Sequence, residues 1–353
     1  VMTMSLVTIS NAAFKDAESI DYTEAVEVMN AAGVLIGDEK GNFNAKAELT
    51  RAQAAKIVAY LDLGGKTADA IKGAGTAFSD VPATHWAAGY VEYCAGAGYV
   101  AGMGDKTFAP NEKVTGVQFA KMLLCALGYK ANIEGYVGTD YTIAIARDAN
   151  ANGLYDNLSI AASAVLTREQ AAQMAFNALK ADTVEYRGGT EVSTSDGTKV
   201  TINATRYNIA NASYNYDLNV AVGGGAGQDN LQQLCEKLYG QKLQLTRTTA
   251  DAFGRPANQW KYNGVVVGTY AKQPTLTYTG EVKGKQIYAD LGQPDLTAVT
   301  VTSKKDGLGG VNGWTGSSYV IDTDTMYKKA DIAKNQNSTG ASHKGAVTEV
   351  YFD

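Results

Sequence analysis

The sequence is poor in charged side chains. Only 19% of its 353 residues are Asp, Glu, Lys or Arg, and acidic residues outnumber basic ones by 36 to 31. A net charge of −5 offers no electropositive surface for a phosphate backbone or an anionic lipid. We therefore expect neither a nucleic-acid partner nor a membrane partner.

Histidine and cysteine are scarce as well, which argues against most catalytic and metal sites. The two histidines, His85 and His343, have no second ligand or nucleophile near them in sequence. The three cysteines, Cys94, Cys125 and Cys235, are odd in number and far apart, unlike a disulfide framework or a zinc site. We predict buried, unpaired thiols, no enzymatic activity, no metal and no cofactor.

Long apolar runs are also missing, since none reaches the 18 residues typical of a membrane-spanning helix. The first 12 residues, VMTMSLVTISNA, are apolar and then small, which resembles the end of a signal peptide. The alternative is an N-terminal β-strand that a neighbouring subunit accepts at an exposed sheet edge.

What the sequence does contain is one motif that occurs three times. LTRAQAAKIVAYL (Leu49–Leu61), VTGVQFAKMLLCAL (Val114–Leu127) and LTREQAAQMAFNAL (Leu166–Leu179) each carry a Thr followed three residues later by Gln. Thr and Gln at this spacing form a capping box, and apolar residues follow at helical period. Each copy of the motif therefore predicts a capped helix with one buried face.

A second helix is predicted ahead of the capped one. The turns at Phe14–Asp16 and Phe78–Val81 open the amphipathic segments Tyr22–Ala32 and Trp86–Ala97, and each segment is followed by a glycine-bounded turn with a buried Phe. The unit thus consists of an acidic turn, a leading helix, a second turn and a capped helix. Three units are predicted, at about 13–63, 78–129 and 136–181, within a module of 13–182.

These units resemble the S-layer homology module, three copies of which anchor many Gram-positive surface proteins to the cell wall. The second unit matches at Phe78-Ser79-Asp80-Val81, Trp86, Gly98, Gly102, Phe108-Ala109-Pro110 and Thr115. The first unit matches at Phe14, Asp16, Gly33, Gly37, Gly41, Phe43 and Thr50-Arg51-Ala52. The third unit matches mainly at Gly153 and Thr167-Arg168. The resemblance implies a pseudo-threefold helical bundle whose grooves bind a secondary cell-wall polysaccharide, often a pyruvylated one.

The resemblance also implies which residues bind that glycan. Arg51 and Arg168 begin capped helices, where a planar donor fork beside the positive helix end suits a carboxylate. The remaining candidates are Asp16, Asp80, Trp86, Thr50 and Thr167. Gly116 replaces the arginine of the second unit, so we expect binding in the grooves of Arg51 and Arg168. Replacing both arginines by Ala is expected to abolish retention on cell walls and leave the fold intact.

The hydrophobic period changes at about residue 183. Val-, Thr- and Tyr-rich segments bounded by turns such as Asn263-Gly264 predict hairpins, and one helix is predicted at Asn230–Tyr239. The segments lie at 198–209, 244–249, 259–270, 275–282, 296–303 and 346–353. We therefore predict a mainly β domain at 183–353 and an α+β chain. DAFGRPANQWKYNGVVVGTYA (251–271) is similar to a stretch of clostridial surface-layer-like proteins.

Two motifs fall short of a ligand site. VAVGGGAGQDNLQQL (220–234) has the glycines of a dinucleotide loop but lacks its βαβ context. DANANGLYD (148–156) begins like a calcium loop, yet Ser159 stands where the loop requires an acid.

The sequence as a whole predicts an exported, non-enzymatic protein of the Gram-positive cell wall, held by the polysaccharide without a covalent bond. The alternative is a self-assembling lattice or filament subunit, in which N-terminal strand donation and β-domain contacts dominate. A carbohydrate-active enzyme on an anchor is the weakest hypothesis, because the β half shows no acid pair.

Overall fold

The computed structural model describes residues 14–71, 73, 77–138, 140–193, 199–202, 204–210, 231–252, 255–279, 289–290, 292 and 348–350. Its α-helices are α1 Thr23–Ala31, α2 Arg51–Leu63, α3 Gly65–Asp69, α4 Ala88–Gly96, α5 Gly116–Ala126, α6 Ala131–Glu134, α7 Tyr141–Ala151, α8 Arg168–Leu179 and α9 Leu234–Tyr239. Its strands are β1 Val184–Arg187, β2 Thr190–Ser193, β3 Lys199–Ile202, β4 Thr205–Asn208, β5 Leu243–Ala250, β6 Pro256–Tyr262, β7 Val265–Ala271, β8 Leu276–Tyr278 and β9 Thr348–Val350. The predicted α+β class is confirmed.

The chain divides into two compact units. Of the described residues, the larger unit contains 14–245 and 261–267, and the smaller contains 246–260 and 268–350. Antiparallel pairs join β1 to β4, β2 to β3 and β8 to β9, while β5, β6 and β7 form one sheet in that order. The domain bounds expected from the sequence remain a prediction. Among the described helices, none is both long and apolar enough to cross a membrane.

The capped helices α2, α5 and α8 begin as the sequence predicts. The Thr50 hydroxyl accepts from the Gln53 N–H at 3.3 Å, and Gln53 Oε1 accepts from the Thr50 N–H at 3.0 Å. Thr167 and Gln170 repeat both bonds, at 3.3 and 2.9 Å. These bonds satisfy amide groups that a helix start leaves without an intrahelical partner.

The segments just before the three caps meet in a closed ring of backbone hydrogen bonds. The Leu49 N–H donates to Leu166 O at 2.8 Å, the Leu166 N–H to Val114 O at 2.9 Å, and the Val114 N–H to Leu49 O at 3.0 Å. All three side chains are buried. Each segment therefore donates to one neighbour and accepts from the other, which gives the module its pseudo-threefold arrangement.

The helices of different units are interleaved around this ring. The leading helix α1 packs on α8, α4 packs on α2, and α7 packs on α5, while α2, α5 and α8 also contact one another. Each leading helix thus covers the capped helix of another unit. A single unit has no complete core, and the apolar faces become buried only when all three are present.

Three described residues after 182 contact the opposite ends of the capped helices. The Val184 N–H donates to Leu127 O just after α5 at 2.8 Å, and the Leu234 N–H donates to Ala181 O just after α8 at 3.0 Å. Lys237 of α9 lies 3.3 Å from Asp62 in the last turn of α2. Because helix C-termini carry carbonyls without intrahelical partners, the bonds of Val184 and Leu234 satisfy two carbonyls at this end of the bundle.

The structure describes one helix and one hairpin that the sequence predicts for the second half. The helix predicted from Asn230 begins at Leu234, because Gln233 caps it and Glu236 Oε2 accepts from the Gln233 N–H at 2.8 Å. The predicted Asn263-Gly264 hairpin joins β6 to β7, with φ angles of 50° and 81°. The predicted segments at 1–12 and 296–303 lie outside the described residues.

The prediction of unpaired, buried cysteines is confirmed. Cys94, Cys125 and Cys235 are all free and buried. Burial raises the pKa of the Cys125 thiol to about 11 and also raises the pKa values of Cys94 and Cys235. Since the thiolate is the reactive form, these groups act as small apolar side chains.

We expect Gly128→Ala to lower the free energy of unfolding by about 3 kcal/mol. Gly128 has a φ of +105°, and an added Cβ would lie 2.1 Å from Val184 O, so β1 would have to leave the end of α5. Gly104→Ala is the control, because its φ is +96° with nothing within 4 Å of the added Cβ; it should cost about 1 kcal/mol. Urea titration measures both, and equal losses would contradict the close approach of β1.

Candidate functional site

Arg168 links the third unit to the turn of the first. Its Nε donates to Phe43 O at 3.0 Å and its Nη2 to Ile36 O at 3.2 Å. The guanidinium carbon lies 5.0 Å from the centre of the Phe43 ring, within the range of a cation–π contact. One side chain thus holds two carbonyls of a neighbouring unit.

Arg51 makes the same contacts between the first unit and the second. Its Nε donates to Phe108 O at 2.8 Å, its Nη2 donates to Ala101 O at 2.7 Å, and its guanidinium carbon lies 4.5 Å from the centre of the Phe108 ring. No described residue accepts from the other three N–H groups of either guanidinium. These groups remain available to a ligand.

Partial burial acts on the charge of both arginines. It lowers the pKa of the Arg51 guanidinium, and the carboxylates of Asp80 and Glu112 partly offset this effect. Burial lowers the pKa of Arg168 in the same way, against Asp38 and Asp16. Because an arginine pKa lies far above neutral pH, both groups stay positive.

Asp16 and Asp80 shape the turns that the arginines hold. The two carboxylate oxygens of Asp16 accept from the N–H groups of Phe43 and Asn44, both at 2.7 Å. Those of Asp80 accept from the N–H groups of Phe108 and Ala109, at 2.8 and 2.7 Å. Asn44 and Ala109 have left-handed φ angles of 60° and 57°, a conformation that these bonds stabilise. Each acid therefore has a structural role in its turn.

The Arg168 groove contains a cavity of about 160 Å³. The residues lining it come from all three units: Val34, Leu35, Ile36, Gln53, Lys56, Ile57, Trp86 and Arg168. The Trp86 side chain is 57% exposed and its ring stacks on His85 at 5.7 Å. Two cations and a solvent-facing indole thus surround one recess, a combination that suits a sugar bearing a carboxylate.

The structure groups some of the predicted site residues and separates others. Arg168 and Trp86 line the same cavity, whereas Arg51 and Asp80 belong to the groove between the first and second units. The hydroxyls of Thr50 and Thr167 accept their capping bonds at the helix starts.

Lys56 was missed by the sequence analysis. Its Nζ lies 5.4 Å from the Tyr60 ring centre and 6.0 Å from that of Tyr90, at the edge of the cavity. A signal was present, because a lysine stands six residues after the cap threonine in both the first and the second unit, as Lys56 and Lys121.

The start of the calcium-like motif lies inside helix α7. Tyr136 donates to Asp148 Oδ2 at 2.7 Å, and Arg147 donates to both carboxylate oxygens at 2.8 Å. Burial alone would raise the pKa of Asp148, but these bonds outweigh it and hold the pKa below its usual value. The carboxylate is thus already paired, and the described residues contain no group of three potential metal ligands.

The turns, caps and grooves agree with a known family. The family model for the S-layer homology domain matches residues 13–55 and 77–120, the first two units. These two segments are therefore assigned to S-layer homology domains. The third unit lies outside the two matched segments.

Curated relatives are surface proteins. The chain is 33% identical over 115 residues to a surface layer protein of Brevibacillus choshinensis, covering 32% of this chain and 10% of that protein. It is 30% identical over 175 residues to a cell surface protein of Thermoanaerobacter kivui, covering 48% and 22%. It is 35% identical over 106 residues to a cellulosome-anchoring protein of Acetivibrio thermocellus, covering 30% and 23%.

The chain spans less than a quarter of the length of these relatives. Together with the S-layer homology domains, they place it among extracellular proteins associated with the bacterial cell wall.

We expect Arg51→Ala and Arg168→Ala each to lower the free energy of unfolding by about 2 kcal/mol, because each leaves two carbonyls without a charged donor and removes a ring contact. This revises the expectation that the fold would be unaffected. Arg187→Ala is the control, because that side chain also has a ring contact, 5.3 Å from the centre of the Tyr207 ring, but is 66% exposed and paired with the Glu185 carboxylate; it should change stability by less than about 0.5 kcal/mol. Equal effects in thermal unfolding would mean that the arginines do not hold the turns.

Proposed function

We propose that this chain is a non-enzymatic cell-wall anchor that holds a secondary cell-wall polysaccharide in the grooves of Arg51 and Arg168. The observation that carries the proposal is the cavity where Arg168, Lys56 and the exposed Trp86 converge. Its polymer ligand would present an acidic sugar, such as a pyruvylated one, to the two cations.

The chemistry of the cavity favours a negatively charged sugar over a neutral one. Arg168 retains three N–H donors beyond those held by Phe43 O and Ile36 O, and a carboxylate accepts such donors in a planar, charge-assisted arrangement. The capped helix adds the positive end of its dipole at the same point. Trp86 offers an apolar face on which a sugar ring can stack.

The difference between the two ends of the helical bundle supports an anchoring role. The arginines lie at the N-terminal ends of the capped helices, while Val184, Leu234 and Lys237 contact residues at the C-terminal ends. The grooves therefore lie at the end of the bundle opposite to these contacts. We propose that the third unit is a degenerate S-layer homology repeat and that the β region provides spacing or subunit contacts.

The lattice or filament alternative depends on a different part of the chain. Residues 1–12, which would donate the strand, lie outside the described residues. Self-assembly therefore remains a hypothesis, and the experiment below includes an outcome that would favour it.

The test is cosedimentation of the purified chain with cell-wall sacculi before and after acid extraction of their secondary polymer. Wild type should pellet only with intact sacculi, and Trp86→Ala and Lys56→Ala should each weaken retention about tenfold, because each removes one contact of the cavity.

Tyr207→Ala and Lys66→Ala are matched controls. Tyr207 is 46% exposed on β4, and Lys66 is exposed in α3, after the last turn of α2; both should leave retention unchanged. Undiminished retention of the Trp86 and Lys56 variants would refute the groove mechanism. Pelleting without any wall material would instead indicate self-assembly.

A further inference from the structure

We infer that the module holds its polysaccharide at two sites and that the third junction, at Gly116, is a structural lock that binds none. This inference rests on the proposed function and specifies its valency. A junction is the place where the start of one capped helix meets the turn of another unit. Equivalent positions at the three junctions are counted from each cap threonine and from the glycine just after each leading helix.

Two positions that carry a cation in two of the units are uncharged at the third junction. The residue after the cap is Arg51 or Arg168 in two units and Gly116 in the second. The capped helix that faces Gly116 is α8, and its position equivalent to Lys56 and Lys121 is Gln173. Gln173 is 5% exposed and donates to Asn177 Oδ1 at 2.9 Å, so its amide is committed to the protein.

The turn of the third unit is held by its own helix. In the first two units, Ile36 O and Ala101 O lie three residues after Gly33 and Gly98 and accept from arginines of neighbouring units. The equivalent carbonyl, Asp156 O, accepts from Asn177 Nδ2 at 2.8 Å.

Asn177 completes this lock from within α8. It is 1% exposed, and its Nδ2 also lies 3.2 Å from Leu154 O. The amides of Gln173 and Asn177 therefore stabilise this turn, as the arginines stabilise the other two. The third junction needs no arginine and gains no guanidinium that could reach a ligand.

The space beside Gly116 is occupied as well. A Cβ added there would lie 3.2 Å from Ala162 O and 3.5 Å from Ile160 Cδ1. Ile160 stands seven residues before its cap threonine, where the other units have Phe43 and Phe108, the rings under the arginines. An aliphatic side chain thus lies against the helix start, and a side chain introduced at Gly116 would meet backbone.

The remaining charge at this junction opposes an anionic sugar. Asp156 is exposed and stands where the other two turns have Ile36 and Ala101. A ligand carboxylate would meet a like charge and no compensating cation from Gly116 or Gln173. Two competent grooves on one rigid ring would still allow bivalent attachment, which raises retention above that of either site alone.

The test is native mass spectrometry of the full chain with short fragments of acid-released wall polysaccharide that carry one chain end each. Two fragments per chain at saturation support the inference. One or three fragments overturn it while leaving anchoring through the polysaccharide standing, and the absence of any binding overturns the proposed function itself.

Single variants then assign the two sites. Lys56→Ala and Lys121→Ala should each weaken one of the two binding steps about tenfold. The matched control, Asp156→Ala, should leave two fragments bound per chain. A third fragment on wild type, or loss of a fragment in Asp156→Ala, would show that the Gly116 junction binds ligand.

Discussion

The closed ring of hydrogen bonds among Leu49, Val114 and Leu166 is the constraint on which the rest of the module depends. Each backbone segment can satisfy its own N–H and C=O only if both neighbours are in place, since these groups are buried and away from water. The ring brings the three helix caps to one end of the bundle and sets each helix start beside the turn of another unit. The grooves are a consequence of that closure.

In the proposed function, each groove arginine combines two roles that are usually separate. Arg51 and Arg168 each donate two hydrogen bonds to carbonyls of a neighbouring unit, and the other three N–H groups of each have no acceptor among the described residues. The proposed function would therefore couple ligand binding and unit docking through one side chain. At the third junction the Asn177 amide donates to the carbonyls of the turn. This chain can therefore hold a turn without presenting a cation.

Much of the module could be predicted from the sequence because its determining bonds are local. A threonine and a glutamine three residues apart predict a capping box, and Asn263-Gly264 predicts the hairpin turn. The alternation of polar and apolar residues also predicts where helices give way to strands, and hence the α+β class. In each case the interacting groups lie within one turn of the chain, so their spacing carries the information.

The sequence by itself thus determined the repeat, the caps, the fold class and the two arginines worth testing. Only the tertiary structure decided which units meet. Arg51 reaches a carbonyl 57 residues away and Arg168 reaches one 132 residues away, and α1 packs on α8 instead of on its own partner α2. Lys56 lines the same cavity as Arg168 only through such contacts. Closing long loops costs chain entropy that is repaid by the assembled core, and no local spacing encodes which surfaces then come together.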